Sequence, residues 1–594
     1  MKIFIASITS LLLFHCALTL PPKQAVISET EIHDHIAYLA SDYLEGRKPG
    51  TPTGAMAANY IAAHFTQLGL TLLGEDGKQY FDVITSVTLG PNNSLSTPEM
   101  EGVPGKDYTP TAFSASGSLK APVSFVGYGF QIKSDTLNWD DYSSVDVKNK
   151  WVMILRGTPE NEGSSSAYDN YSSLRHKLLV ARDHGAKGIL FVSGNKFDAE
   201  DELIDLRIER NLSQATLPIL HIKRELANKL LTASTKTVFD FESQLDTELK
   251  PLSLDLEIEL SATSDLVLQE VTTQNIIALL PGTDPVLKNE YIVLGAHYDH
   301  LGWGGKGSGS RQPDTSAIHN GADDNASGVA AVLEIAERLT LGKVPPKRSI
   351  LFMAFGAEEM GLLGSKFFTS NPLVDKSQIK QMINLDMVGR LNPTKPTLTV
   401  GGSGTGVGME AFLQKYSQDR GFELSLTPDG YGPSDHAAFY VEDIPVLFFF
   451  TGITEEYHTP ADDVETLNIS GEKIIADYAY DLIADLASRE HTFTFQEAGP
   501  KGPPPIGKRG KVKMGIIPDF AAAKSNGFLL GGVVPGGPAA RAGMQTGDIM
   551  IALEGQSVLN VYDYMSRMAE VKSGQRVTVE VLRGDEKLIL IVEL

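Results

Sequence analysis

Cysteine is almost absent from this sequence, whose 594 residues include one, Cys16. A single cysteine so close to the N-terminus excludes a framework of disulfides, a zinc site built from thiolates and a cysteine nucleophile in the folded domains. We therefore expect the stability of this chain to come from packing and from bound metal.

Long apolar runs are also scarce. One follows Lys2 and extends to Phe14, within the segment MKIFIASITSLLLFHCALTLPP. It has about the length of the apolar part of a signal peptide and is too short to span a bilayer. We expect residues 1–20 to be a signal peptide and the protein to be exported to the periplasm or beyond. A lipid anchor at Cys16 is the alternative, although His15 stands where lipid-attachment sites usually carry a small residue.

Positive charge is in short supply, with 51 Lys and Arg against 74 Asp and Glu, which gives a net charge of -23. Such a chain is not expected to bind nucleic acid or an anionic lipid surface, since both partners require basic patches. Two common hydrolase motifs are missing too. The sequence contains no G-x-S-x-G, which a serine hydrolase needs at its nucleophile, and no H-E-x-x-H, which marks thermolysin-like metalloproteases.

The character of the sequence changes along the chain, and its length predicts about three or four domains. Residues 30–72 show helical spacing around a Gly/Pro-rich break, and short β-rich pieces follow. From residue 274 continuous apolar strands alternate with helices, which predicts a layered, mixed α/β sheet flanked by helices. A stretch rich in proline, glycine and basic residues then predicts a linker. We expect these units: an α/β domain from residues 25–94 and 265–492, an insertion at 95–264, a linker at 493–511 and a small β domain at 512–594.

Imidazoles and carboxylates follow the apolar runs of the α/β domain. They are His297 and Asp299 after YIVLGA, Asp323 and Asp324 in HNGADDNASG, Glu358 and Glu359 after SILFMAFGA, Asp386 after MINL, and His458 in YHTPADD. Sites in such sheets lie at the carboxyl ends of strands, so five elements bring these groups to one edge. Histidine and carboxylate suit zinc, and a set of this size suits two ions that share a bridging carboxylate.

The adjacent carboxylates Glu358 and Glu359 repel each other, so we expect either water or a cation beside them. Neighbouring residues of a strand face opposite sides, and the pair is therefore predicted to lie in the turn beyond Phe355. Before the next helix, Asn325 or Ser327 is predicted to cap the open amides.

The segments GAHYDHLG, NGADDNASG, FGAEEMGLLGS, NLDMVGR, PSDHAAF and YHTPADD, in this order, resemble the di-zinc aminopeptidases of the bacterial leucyl aminopeptidase and glutamate carboxypeptidase superfamily. The resemblance covers roughly residues 30–90 and 265–490. It implies a phosphorylase/hydrolase-like zinc-peptidase fold with two zinc ions per chain. It also implies peptide substrates with a free N-terminus.

The resemblance implies a role for each matching residue. The implied metal ligands are His297, Asp324, Glu359, Asp386 and His458, with Asp324 bridging both ions. Glu358 is the implied general base, and Asp299 is implied to orient His297. Tyr431 aligns with a tyrosine that, in some members, donates a hydrogen bond to the oxyanion.

The flanking domains resemble known modules as well. The insertion, with VGYGF and ARDHGAKGILFVSG, resembles a protease-associated domain. The C-terminal part, with NGFLLGGVVPGGPAARAGMQTGDIMIALEGQSV, resembles a bacterial PDZ domain. Such a domain can bind a peptide C-terminus, here at residues 527–530, and a purely structural role is the alternative. The alternatives to an aminopeptidase are a single-zinc glutaminyl cyclase on the same fold and a non-enzymatic receptor or scaffold.

Overall fold

The structure of the protein is a computed structural model. It describes residues 26–133, 137–159, 167–168, 171–206, 215–499, 501, 514–518, 527–533, 536–559, 561–568, 571–572, 574–584 and 586–594. The predicted signal peptide, Cys16 and residues 502–511 of the predicted linker lie outside the described residues. Within the described ranges, every helix is too short or too polar to cross a bilayer.

The main domain, residues 26–89 and 266–499, is built around a nine-stranded mixed sheet. Its strands are β1 (Thr71–Leu72), β2 (Lys78–Leu89), β13 (Leu266–Leu280), β14 (Tyr291–His297), β15 (Ser349–Phe355), β16 (Ile379–Leu385), β17 (Thr397–Gly401), β18 (Glu423–Leu426) and β19 (Val446–Phe450). The order is β1-β13-β15-β14-β16-β19-β17-β18, with β2 paired to β13. The predicted layered α/β class is confirmed.

Helices cover both faces of this sheet. They are α1 (Glu29–Leu39), α2 (Pro52–Gln67), α6 (Gly328–Leu341), α7 (Leu363–Ser370), α8 (Met409–Ser417), α9 (His436–Val441) and α10 (Ile469–Ser488). Along β14, Ile292 and Leu294 enter one apolar cluster and Val293 enters the cluster on the opposite face. Continuous apolar strands are therefore required, because both faces are buried.

The two N-terminal helices form where the sequence predicts them. The side chain of Ser28 accepts a hydrogen bond from the amide of Glu31 at the start of α1. The side chain of Thr51 accepts one from Gly54 at the start of α2, where Pro52 occupies the first helical turn. Between the two helices the chain makes a 3-10 turn over Asp42–Arg47.

The insertion forms a second sheet of eight strands with its own core. Its strands are β3 (Ser94–Thr97), β4 (Met100–Gly102), β5 (Tyr108–Pro110), β6 (Gly117–Val126), β9 (Trp151–Leu155), β10 (Gly188–Val192), β11 (Ile219–Ile222) and β12 (Ser253–Ser264), and β7 (Gln131–Lys133) pairs separately with β8 (Asn138–Asp140). The helices are α3 (Leu174–Asp183), α4 (Arg224–Leu230) and α5 (Val238–Glu248). The long antiparallel pair of β2 and β13 carries the chain into and out of this insertion.

The C-terminal residues form a third sheet with a small core of their own. Its strands are β20 (Ile516–Pro518), β21 (Phe528–Val533), β22 (Ile549–Leu553), β23 (Gln556–Ser557), β24 (Arg576–Arg583) and β25 (Glu586–Glu593), and its helices are α11 (Pro538–Arg541) and α12 (Val561–Met568).

Two reciprocal ion pairs join this C-terminal domain to the insertion. Arg567 of α12 contacts Asp183 through both of its terminal nitrogens, at 2.9 and 3.0 Å. Arg182 of α3 contacts Asp563 of α12 at 2.8 Å. The side chains of Arg567 and Asp563 are buried by this contact. The C-terminal domain, predicted as a separate unit, is thus docked against the insertion.

We expect Arg567→Glu to release this docking, because it places a carboxylate opposite Asp183 and leaves a partly buried charge without its partner, at a cost of about 1–3 kcal/mol. Small-angle X-ray scattering should show a larger radius of gyration. The double variant Arg567→Glu/Asp183→Arg should restore most of the compactness. Arg576→Glu, at an exposed pair with Glu593 in the same domain, is the control and should leave it unchanged. An unchanged radius for Arg567→Glu would contradict the docking.

Candidate metal centre

Four parallel strands bring the predicted site residues to one edge of the main sheet. Strand β14 pairs in parallel with β15 and β16, and β16 pairs in parallel with β19. The register places His297 beside Phe355, so the turn carrying Glu358 and Glu359 begins next to the histidine. Asp386 follows the last residue of β16 in the same way.

Three of the predicted ligands form a first donor group. The Nε2 atom of His297 lies 3.3 Å from Asp324 Oδ1 and 3.5 Å from Asp386 Oδ1. The three side chains are buried and present donors that could hold one metal ion.

A second donor group lies on the other side of Asp324. The Nε2 atom of His458 is 3.1 Å from Asp324 Oδ2 and 3.3 Å from Glu359 Oε2. His300 joins this group, with its Nδ1 atom 2.8 Å from Glu359 Oε1 and 3.9 Å from Asp324 Oδ2. Asp324 therefore directs one carboxylate oxygen to each group.

The donor atoms fit zinc in both chemistry and spacing. Ligands at about 2.1 Å from a tetrahedral zinc ion lie about 3.4 Å from each other, close to the separations within both groups. Among the described residues, Nε2 of His300 is buried without a hydrogen-bond partner. Buried polar atoms rarely remain so unless a ligand satisfies them.

Two histidines present Nε2 because their other ring nitrogen faces a backbone carbonyl. Nδ1 of His297 lies 3.2 Å from the carbonyl oxygen of Asp299, and Nδ1 of His458 lies 3.1 Å from that of Gly309. A proton on Nδ1 donated to these carbonyls leaves the lone pair of Nε2 for a metal.

Asp299 has a different set of contacts from the one predicted. Its carboxylate lies 3.8 Å from His297 Nδ1, beyond hydrogen-bond distance. It accepts hydrogen bonds from the backbone amides of Glu358 at 3.0 Å and Glu359 at 3.4 Å. In this structure the backbone of Asp299 orients the histidine, whereas its side chain holds the turn that carries the two glutamates.

The backbone at Asp324 is held by the carboxylate of Asp462 and by the residues that follow it. The amides of Asp323 and Asp324 donate to the carboxylate of Asp462, at 3.0 and 3.1 Å. Asn325 Oδ1 accepts from the amide of Gly328 at the start of α6. Of the two predicted capping residues it is therefore Asn325 that makes the cap, while Ser327 donates to the carbonyl of Asp323.

Three residues at or beside the donors have a strained backbone conformation. Ala357, Met387 and His458 all have left-handed φ values, of 58°, 55° and 55°. Such conformations cost about 1–3 kcal/mol each outside glycine and persist where the surrounding structure imposes them. Ala357 directly precedes Glu358, Met387 directly follows Asp386, and His458 is itself a predicted ligand. The glutamate pair lies in the turn beyond Phe355, where it was predicted.

Burial and crowding shift the pKa values of the donors. Burial alone lowers the pKa of His297, but the carboxylates of Glu358, Asp386 and Asp324 outweigh it and raise that pKa well above its usual value. Burial also lowers the pKa of His458, but its contacts with Asp324 and Glu359 outweigh this effect and raise the pKa to about 10.

The pKa values of the two glutamates are shifted in opposite directions. Burial raises the pKa of Glu358 well above its ordinary value, and the neighbouring carboxylates of Glu359 and Asp435 add to this effect. Burial also raises the pKa of Glu359, but the contacts of this carboxylate with His300 and His458 outweigh burial and lower the pKa to about 2. The adjacent acids thus have distinct environments, which is the pattern expected of groups with distinct roles.

Tyr431 is the predicted site residue that the structure connects least to the donors. It is half-buried and packs against the apolar cluster that contains Phe355 and Phe439. Burial raises the pKa of its hydroxyl. Its role toward an oxyanion remains a prediction.

Sequence reasoning missed His300 and Asp462. His300 stands three residues after His297 in HYDH, and its spacing could have included it among the donors. Asp462 stands four residues after His458, but nothing local indicates that its carboxylate reaches the amides before α6, 138 residues away in sequence.

Comparisons with known proteins agree with these observations. Residues 275–483 match the family model described as peptidase family M28, and residues 531–583 match the PDZ domain model. Leupeptin-inactivating enzyme 1 of Streptomyces exfoliatus is 34% identical over 188 residues, 30% of this chain and 36% of that protein. Aminopeptidase YwaD of Bacillus subtilis is 28% identical over 370 residues, 60% of this chain and 64% of that protein.

Among solved structures, the aminopeptidase from Aneurinibacillus sp. strain AM-1 superposes with a TM-score of 0.47 at 20% identity, covering 81% of this chain and 98% of that one. The matches to the two curated relatives span between about a third and two thirds of their lengths. Residues 275–483, which lie within the main domain, are thus similar to peptidase family M28, and residues 531–583 are similar to PDZ domains.

Proposed function

We propose that the protein is an exported zinc aminopeptidase that hydrolyses the N-terminal peptide bond of peptides at a centre holding two zinc ions. The proposal rests on the position of Asp324. One of its carboxylate oxygens faces each of the two donor groups of histidine and carboxylate. The relatives named aminopeptidases support the reaction class.

The chain supplies the ligands and the general base. His297, Asp324 and Asp386 would hold one ion, and Asp324, Glu359 and His458 the other, with His300 beside it. When bound, the ions would polarise the scissile carbonyl and lower the pKa of a coordinated water. A bound cation would favour the ionised form of Glu358, which takes the proton from the attacking water and returns it to the departing amine.

The surplus of negative charge favours a substrate with a free N-terminus. Carboxylates beyond those of the predicted ligands surround the site, namely Asp299, Asp323, Glu358, Asp435 and Asp462. An α-ammonium group complements this charge, whereas a blocked N-terminus does not.

A single-zinc glutaminyl cyclase is the second candidate on this fold. It needs one donor group, and the second group of Asp324, Glu359 and His458 would then have no function. A receptor or scaffold would need none of the donors. Zinc stoichiometry and an assay for peptide cyclisation separate the three proposals.

Export and the PDZ domain extend the proposal beyond the site. The apolar N-terminal run supports a signal peptide, with a lipid anchor at Cys16 as the alternative. The PDZ domain would bind a peptide C-terminus through the amides of residues 527–530, at the start of β21.

The metal content of ligand variants should follow the division of the donors into two groups. Wild-type protein dialysed against a fixed free zinc concentration should bind about two ions per chain. Asp386→Asn should retain about one, because Asp386 serves one donor group. Asp324→Asn should bind neither ion tightly, since the bridging carboxylate serves both. Elemental analysis provides the measurement, and saturation of the wild type at a single ion would contradict the two-ion centre.

Zinc binding should also release protons. The pKa of His297 is raised well above 6.5 and that of His458 to about 10. Both rings are therefore positively charged imidazolium groups at pH 7 in metal-free protein. Metal must displace these protons, and zinc affinity should therefore fall as the pH is lowered. Titration calorimetry in buffers of different ionisation enthalpy should show net proton release. Identical apparent enthalpies in all buffers would refute this expectation.

Substitution of the glutamate pair should separate its two roles. Glu358→Gln keeps the shape of the side chain but removes the base, so it should retain zinc and lose about 10²- to 10⁴-fold in turnover. Glu359→Gln should lose one ion and recover part of its activity in excess zinc. Hydrolysis of an aminoacyl-nitroanilide, measured with zinc content, tests both. Wild-type turnover by fully loaded Glu358→Gln would exclude it as the base.

A further inference from the structure

The turn between α1 and α2 buries an arginine under the metal centre. Arg47 is 0% exposed. Its guanidinium donates to four backbone carbonyls: Nε to Tyr298 at 2.7 Å, Nη1 to Leu39 at 2.5 Å and Asn320 at 2.6 Å, and Nη2 to Gly321 at 2.9 Å. The Gly/Pro-rich break at residues 44–50, which the functional assignment leaves unexplained, is the segment that delivers it.

The carbonyls belong to the two loops that carry the first ligands. Tyr298 directly follows His297 at the end of β14. Asn320 and Gly321 precede Asp324 by four and three residues. The fork of Arg47 thus ties together two loops whose side chains must meet within 3.3 Å, between His297 Nε2 and Asp324 Oδ1. The bond to Leu39 fastens this junction to the C-terminal end of α1, where carbonyls lack partners within the helix.

The backbone of the turn that carries Arg47 is packed closely against its neighbours. A Cβ atom on Gly46 would lie 2.4 Å from the carbonyl oxygen of His319 and 2.8 Å from that of Gly302. Gly46 also has a φ of 68°. The turn therefore packs directly against both loops, and the side chain that follows is aimed between them.

We propose that Arg47 is a positioning residue of the metal centre, which holds the loops of His297 and Asp324 at the separation that zinc requires. This inference rests on the proposed function. Positioning depends on the planar fork of donors, which reaches several carbonyls at once. A lysine offers one nitrogen in place of three and cannot span the same set.

A purely electrostatic role predicts the opposite result. The charges of Asp299, Asp324 and Glu359 act on Arg47, whose pKa burial lowers to about 10, so it remains charged at neutral pH. A fixed positive charge near a cation site repels the cation. If charge were its whole effect, neutralising Arg47 would tighten zinc binding. If positioning dominates, Arg47→Gln and Arg47→Lys should both weaken it.

Arg348 offers a matched control at the opposite end of the sheet. It is 1% exposed and precedes β15, whereas Glu358 follows that strand. Its guanidinium donates to the carboxylate of Glu290 and to the carbonyls of Leu486, Arg489 and Glu490. It is thus as buried and as fully bonded as Arg47, but at a distance from the donors.

The test compares Arg47→Lys, Arg47→Gln and Arg348→Lys. Zinc dissociation constants from chelator competition, the Tm of metal-free protein, and kcat and KM are measured for each. Both lysine variants should lower the Tm. Both Arg47 variants should weaken zinc binding by about 10- to 100-fold and lower kcat at limiting zinc. Arg348→Lys should keep the zinc affinity of the wild type within about twofold, in line with its lack of contact to the site.

Four outcomes would overturn the inference. These are wild-type zinc affinity in a folded Arg47→Lys, tighter binding by Arg47→Gln, equal weakening by Arg348→Lys, and, should Arg47→Lys not fold, wild-type affinity in Asn320→Ala. The last variant loosens the same loop while leaving Arg47 in place, because the side chain of Asn320 donates to Asp42 and Asp463. A wild type that binds no zinc would instead refute the proposed function and, with it, the premise of this inference.

Discussion

The balance of buried negative charge is the constraint on which the site depends. Carboxylates from six segments converge at one sheet edge, where water cannot screen them, and isolated charges of one sign are unstable in such surroundings. The protein balances them by several means. Histidines contact Asp324 and Glu359, backbone amides donate to Asp299 and Asp462, and a guanidinium lies beneath. Divalent ions would complete the balance, which explains why the histidine pKa values lie so high without them.

The architecture of the main domain makes this concentration possible. Parallel strands all end at the same edge, so β14, β15, β16 and β19 each deliver one or two polar groups to a common place. The strands themselves are apolar on both faces and hold that edge rigidly. The donors then lie in short turns with left-handed residues, whose strain the packed sheet and helices sustain.

Individual contacts show where prediction from sequence ends. The donors were predicted from the apolar runs they follow, and the structure brings them together. Asp299 was expected to orient His297 by its carboxylate, yet its carbonyl does so and the carboxylate holds the next turn. His300 was overlooked because a histidine by itself usually indicates a structural residue. Arg47 was unpredictable, since its four partners come from segments up to 274 residues away.

By itself the sequence determined the fold class and the chemistry of the donors. The spacing of apolar residues and the polar residues that follow each apolar run are local properties of the sequence. They decide which residues end strands and which motifs lie at those ends. The tertiary structure alone decided which oxygen of Asp324 faces which histidine, and that the C-terminal domain rests on the insertion through Arg567 and Asp183. It alone decided, too, that Arg47 lies beneath the loops. Those contacts join residues as far as 384 positions apart, and their geometry arises only when packing brings the elements together.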